Sequence, residues 1–202
     1  EWVLAQMGAG LVGAVTVGVY PTSPSSEVAY VVGHADIEIM VCEDQEQTDK
    51  LIEALDQLPR LKKIVVMETK GLRSFAPEVR DLITTFAALT AITSMPASAA
   101  SGQHALIDQA LALFLHDTAA PEIYTSGSTG KPKGAMVSWR NIRGVVPGIV
   151  DRLELSRSTT HLSYLPLCHV AEQMLTTFCP VYIGSQVNFG ESIRTVQEDL
   201  RE

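Results

Sequence analysis

The residues with the most chemistry in close order run from Tyr124 to Gly134, YTSGSTGKPKG. Gly127, Gly130 and Gly134 allow backbone N–H groups to approach an oxygen closely, and successive N–H groups can form an anion-binding nest. Thr125, Ser126, Ser128 and Thr129 supply hydroxyl donors, and Lys133 supplies a compact positive charge. Ile123 to Arg143 holds no Asp or Glu, yet it holds Lys131, Lys133, Arg140 and Arg143. In a chain of formal net charge −8, such a window favours an anionic ligand over a solvated Gly/Ser linker. The spacing is not that of a Walker loop. Gly127 and Gly130 stand too close together, and Lys131 is followed by Pro132 where that motif needs Ser or Thr.

A second glycine motif, GAGLVG from Gly8 to Gly13, matches GxGxxG letter for letter. A dinucleotide site needs a strand before the glycines and a helix after them. Here the pattern predicts a helix before (Trp2 to Ala14) and a strand after (Val15 to Tyr20), so close helix packing is the favoured reading. Cys42, Cys168 and Cys179 have unrelated spacings and suggest reduced thiols. Cys168 and His169 are adjacent, but no second ligand pair stands at zinc-site spacing, and no metal ligand is assigned. His34, His104, His116 and His161 receive no chemical role, and Trp139 and Tyr164 are read as packing residues.

The elements that must position these residues follow from periodicity. At 202 residues, 46% hydrophobic and 19% charged, the composition is that of a soluble globular chain with a sizeable core. Its acidity excludes general nucleic-acid binding. The uncharged run Trp2 to Tyr20 contains four glycines and Gln6, which argues against a membrane span, and no basic residue precedes it as in a secretory signal. Ser23 is expected to cap a helix whose first residue is Pro24. Ile37 to Cys42 reads as a strand, and Asp44 and Gln47 open a helix at capping-box spacing. That helix carries Leu51, Ile52, Leu55 and Leu58 on one face, and Lys62 to Glu68 reads as a third strand. Strand and helix alternating with short connections predict an α/β fold with a parallel sheet.

Further on, the pattern predicts a helix near Glu78 to Leu89, a loop TSMPASAASG and a helix from Ala105 to Leu115. IYTS should end a strand and AMVS start the next. Asn141 to Leu155 reads as a helix disturbed by Pro147-Gly148, HLSYLPL as a strand, Val170 to Ile183 as a helix, QVNF as a strand and the last ten residues as a helix.

The stretch YTSGSTGKPKG resembles the phosphate-loop signature of the adenylate-forming (AMP-binding) enzymes, which include acyl-CoA synthetases, luciferases and peptide-synthetase adenylation domains. The flanks VGVYPTSPSSEVAYVVGHAD, VCEDQEQTDKL, LSYLPLCHVAEQM and ESIRTVQEDLRE are similar to the long-chain fatty-acyl-CoA synthetase branch. The similarity spans nearly the whole chain and is weakest from Thr69 to His116. It implies an α/β fold of parallel or mixed sheets with packed helices, part of the large N-terminal domain of such an enzyme. It also implies ATP-dependent activation of a fatty acid to acyl-adenylate, then to acyl-CoA, with Mg²⁺ as cofactor and coenzyme A as co-substrate.

On this resemblance Thr125, Ser126, Gly127, Ser128, Thr129 and Gly130 hold the leaving pyrophosphate, and Lys133 helps neutralise it. Either Ser128 or Thr129 reaches the metal or the α-phosphate. His169 in LPLCHVAEQ lies near the carboxylate and the acyl tunnel, where the residues alone suggest a capping histidine. Two positions depart from the family's pattern. Pro121-Glu122 stands where apolar residues are usual, which predicts a short or edge strand, and Trp139 stands where many relatives carry His.

The family's adenine segment, magnesium glutamate, ribose aspartate, hinge and catalytic lysine are not found after His169. The 202 residues are therefore expected to be an incomplete N-terminal domain, inactive alone, with no catalytic residue assigned. Expected partners are fatty acid, ATP and coenzyme A. The expected location is cytoplasmic, with peripheral membrane contact open because the substrate is a lipid. A truncated relative acting as an interaction module, and a nucleoside-triphosphate hydrolase, are the alternatives.

Overall fold

The computed structural model describes residues 1–72, 75–91, 119–125, 130–190, 194–199 and 201. The expected TSMPASAASG loop and the Ala105 to Leu115 helix lie outside the described residues, as do Ser126 to Thr129. The chain forms two compact units, one of Glu1 and Val19–Asp108, the other of Trp2–Gly18 and Gln109–Glu202. Helix α1 (Trp2–Leu11) and strand β1 (Thr16–Gly18) therefore belong to the second unit.

The first unit holds α2 (Ser25–His34), β2 (Ile39–Cys42), α3 (Gln45–Glu53), β3 (Lys63–Val66), α4 (Pro77–Arg80), β4 (Ile83–Thr85) and α5 (Phe86–Ala91). Its sheet has the order β2-β3-β4, all parallel. Ile64, Val65 and Val66 of the central strand are all buried, as an apolar run covered on both faces should be. Val28, Val32, Leu51, Leu58 and Ile64 close the core, and each such side chain contributes about 1.5–3 kcal/mol by leaving water. Asp44 caps α3 as expected, with Gln47 N–H donating to its carboxylate at 3.1 Å, while the Gln47 side chain accepts from Lys50 Nζ at 3.1 Å.

Two expectations fail here. Helix α2 starts at Ser25, and Pro24 is its N-cap residue with ψ 160°; Ser23 is buried and provides no cap bond. The proline ring fixes φ alone, and the extended ψ places Pro24 outside the helix. The single helix over Glu78 to Leu89 is replaced by α4, β4 and α5. Ile83, Thr84 and Thr85 are β-branched, and pairing with Ile64, Val65 and Val66 outweighs their local helical pattern.

The second unit continues with β5 (Ala119–Thr125), β6 (Lys133–Ser138), α6 (Trp139–Arg152) and β7 (Thr160–Ser163). A helix over 170–183 follows, made of α7 (Val170–Glu172), a π-helical stretch Gln173–Phe178 and α8 (Cys179–Ile183); β8 (Gln186–Phe189) and α9 (Val196–Asp199) come last. One sheet has the order β1-β5-β6, with β1 parallel and β6 antiparallel to β5; β7 and β8 form a parallel pair. Trp139, Ile142 and Val146 of α6 pack on Met174, Phe178 and Cys179, and the rings of Trp139 and Phe178 meet edge to face at 5.9 Å. Among the described residues no helix is long and apolar enough to cross a membrane.

Three expectations are corrected in this unit. β5 is the central strand despite Pro121, because the β5–β6 register shifts between Ala119 and Glu122 and so frees the proline from a ladder bond. The strand expected over HLSYLPL ends at Ser163, ahead of the Pro166 turn whose carbonyl accepts from His169 N–H. Tyr164 is consequently 45% exposed and is not a packing residue. In GAGLVG the helix precedes the strand, as expected; Gly10 is buried, whereas Gly8 is exposed and a β-carbon there would meet nothing within 4 Å. Gly13, at φ 77°, closes α1 with Ala14 N–H on Ala9 O at 2.9 Å, a Schellman closure.

Candidate functional site

Strands β5 and β6 form an antiparallel hairpin, and the glycine-rich stretch closes it. Thr125 and Lys133 are directly opposite in the register. Directly opposed residues share a face of the sheet, so both side chains leave the mouth of the hairpin on one side. Both are exposed. Gly130, at φ 110°, holds a backbone conformation that L side chains rarely adopt, which is why the loop needs glycine there. Glu122 pairs with Met136, and its side chain lies over Gly134, where a missing β-carbon leaves it room. Strand alternation puts Glu122 on the face opposite to Thr125 and Lys133, so this carboxylate does not stand beside the ammonium.

Immediately after β6, Ser138 and Asn141 form a reciprocal capping box, with Asn141 N–H donating to Ser138 Oγ at 3.2 Å and Ser138 N–H to Asn141 Oδ1 at 2.9 Å. This fixes the start of α6, whose exposed Arg140 and Arg143 extend the basic character beyond the loop.

His169 stands in the loop between β7 and α7. It is exposed and is the N-cap residue of α7, with Ala171 N–H donating to Nδ1 at 3.3 Å. An acceptor nitrogen carries no proton, so a neutral His169 ring carries its proton on Nε2 and offers that N–H outward. Just before it, Cys168 is buried against Gly18 of β1; a β-carbon on Gly18 would fall 2.7 Å from Cys168 Cβ and 2.9 Å from its Cα. Burial pushes the Cys168 thiol up to about 11, so it is a packing group near neutral pH.

The structure thus brings Thr125, Gly130 and Lys133 together in one hairpin and places His169 on a separate loop of the same unit. Among the described residues, His169 makes no side-chain bond to the hairpin. Sequence reasoning missed a buried polar group beneath His169. The Glu172 carboxylate is 3% exposed and accepts from Ser163 Oγ and Thr176 Oγ1, both at 2.7 Å. Gln6 of α1 donates to Gln173 at 2.9 Å, also buried. The signal for Glu172 was its spacing three residues after the cap, where a glutamate usually bonds back to the cap N–H. Among the described residues no group of three His, Cys, Asp or Glu could hold a metal ion.

The model of the AMP-binding enzyme family matches residues 1–201. The chain is 31% identical over 195 residues to the long-chain-fatty-acid–CoA ligase ACSBG2 of Xenopus laevis, which covers 95% of this chain and 25% of that protein. It therefore spans about a quarter of the length of that relative. Among solved structures it is similar to the anthranilate–CoA ligase AuaEII in complex with anthranoyl-AMP, at TM-score 0.72 and 19% identity, over 99% of this chain and 35% of that one. It is also similar to ATP-bound MatB from Rhodopseudomonas palustris, at TM-score 0.64 and 18% identity, over 98% and 35% of the two chains. At these identities the structures speak for the fold, which is the expected α/β arrangement with small parallel and mixed sheets. With the family model matching nearly end to end, this chain belongs to the AMP-binding enzyme family.

Proposed function

We propose that this segment supplies the phosphate-holding hairpin, and part of the carboxylate side, of an enzyme that activates a long-chain fatty acid. A carboxylate oxygen of the acid attacks the α-phosphorus of ATP, the bond to the β-phosphate bridge breaks, and pyrophosphate leaves. The thiol of coenzyme A then attacks the acyl carbon and AMP departs. Support comes above all from the Thr125–Lys133 pair on one face at the mouth of a glycine-rich hairpin, in a window from Ile123 to Arg143 that holds no acid. Negative charge grows on the leaving pyrophosphate, and a fixed ammonium at that place lowers the barrier more than it tightens ground-state binding. Residues Ser126 to Thr129 would add backbone and hydroxyl donors. His169 would meet the acid through Nε2–H and so orient the attacking oxygen.

Magnesium is expected to enter with the nucleotide and would share the charge on the phosphates. The described side chains at the hairpin mouth, one hydroxyl and one ammonium, suit an anion and not the metal itself. The long-chain substrate class is supported by the likeness to the long-chain-fatty-acid–CoA ligase of Xenopus laevis. The test is Lys133→Ala in the full-length protein. Single-turnover adenylate formation should slow by about 10²-fold with the unfolding midpoint unchanged. An unchanged single-turnover rate would remove Lys133 from the mechanism.

A further inference from the structure

Glu172 occupies the third position after the His169 cap, where a glutamate ordinarily reaches back to the cap backbone. Here that N–H is already taken by Pro166 O at 2.9 Å, and the carboxylate turns inward instead. Burying a carboxylate with two hydroxyl donors costs stability that a solvent-facing glutamate would not, and helix capping does not account for it. What the bonds achieve is positional. Ser163 is the last residue of β7, and its carbonyl also accepts from Gly190 N–H at 2.9 Å, at the end of β8. Glu172 therefore ties the first turn after His169 to the β7–β8 pair, and Thr176 ties the same oxygen to the π-helical stretch. The segment from Tyr164 to Val170 is clasped between Ser163 and Glu172, while Tyr164, Leu165, His169 and Val170 stay exposed.

We infer that Glu172 is a positioning residue, which holds the His169 turn so that Nδ1 remains engaged by Ala171 N–H and Nε2–H faces the acid. The inference rests on the carboxylate-side reading of His169 given above. The variants are Glu172→Ala, Glu172→Gln and Ser163→Ala in the full-length protein. Two measurements are made: steady-state constants for fatty acid and for ATP, and the ring-nitrogen NMR shifts of His169.

Glu172→Ala should raise the fatty-acid KM about tenfold with the ATP KM unchanged, and should turn the single Nε2–H tautomer into a mixture. Glu172→Gln keeps an oxygen acceptor for both hydroxyls and should stay within about twofold of wild type. Ser163→Ala removes one donor without touching the helix, and should shift both readouts in the same direction even where Glu172→Ala does not fold. A fall in melting temperature with the tautomer and the KM ratio unmoved makes the role purely structural and overturns the inference. A wild-type protein with the Nε2–H tautomer but no fatty-acid-dependent exchange overturns the acyl reading; loss of the tautomer in Ser163→Ala still supports the clasp.

Discussion

At the scale of single residues, burial sets which groups near the candidate site can react. Cys168 precedes His169, yet its thiol is 3% exposed and raised from 9.0 to about 11 by desolvation. At pH 8 the thiolate fraction is then about 10⁻³. Iodoacetamide at pH 8 should leave Cys168 unmodified in the folded protein and alkylate it in denaturant, as peptide mass spectrometry would read. Rapid native labelling contradicts the described packing. The same shift has a stability consequence. A thiol whose folded value is raised contributes stability that is present below pH 9 and lost as the pH rises toward about 11. Cys42, also raised to about 11 by burial, adds in the same direction.

At the scale of elements, β1 approaches the loop before α7 backbone to backbone. Gly18→Ala would push a β-carbon to 2.9 Å from the Cys168 Cα, a backbone atom that cannot swing aside. The substitution should destabilise by about 1–3 kcal/mol in urea unfolding. A midpoint equal to wild type would show that β1 does not press on the His169 loop. Most elements of this unit were legible in the sequence because their periodicity is local. IYTS and AMVS became the β5–β6 hairpin, and QVNF became β8. Part of what failed depended on partners far away in the chain. ITT reads as helix until β3 is there to pair with it, and Pro121 reads as an edge residue until a register shift accommodates it. The Glu172 clasp was invisible for the same reason, since Ser163 becomes its donor only once β7 and the helix over 170–183 pack together. The π-helical stretch has no signature in the residues themselves.

At the scale of the whole molecule, family membership and fold agree with what the glycine-rich stretch and its flanks implied. This chain spans 25% of the length of the Xenopus laevis relative. The proposed acid activation is therefore tested in the full-length protein. The direct measurement is exchange of labelled pyrophosphate into ATP with and without a long-chain fatty acid. Exchange should require the acid, need no coenzyme A and fall by about 10²-fold in Lys133→Ala. Phosphate release without any carboxylic acid, and no exchange with one, would contradict acid activation and favour a nucleoside-triphosphate hydrolase.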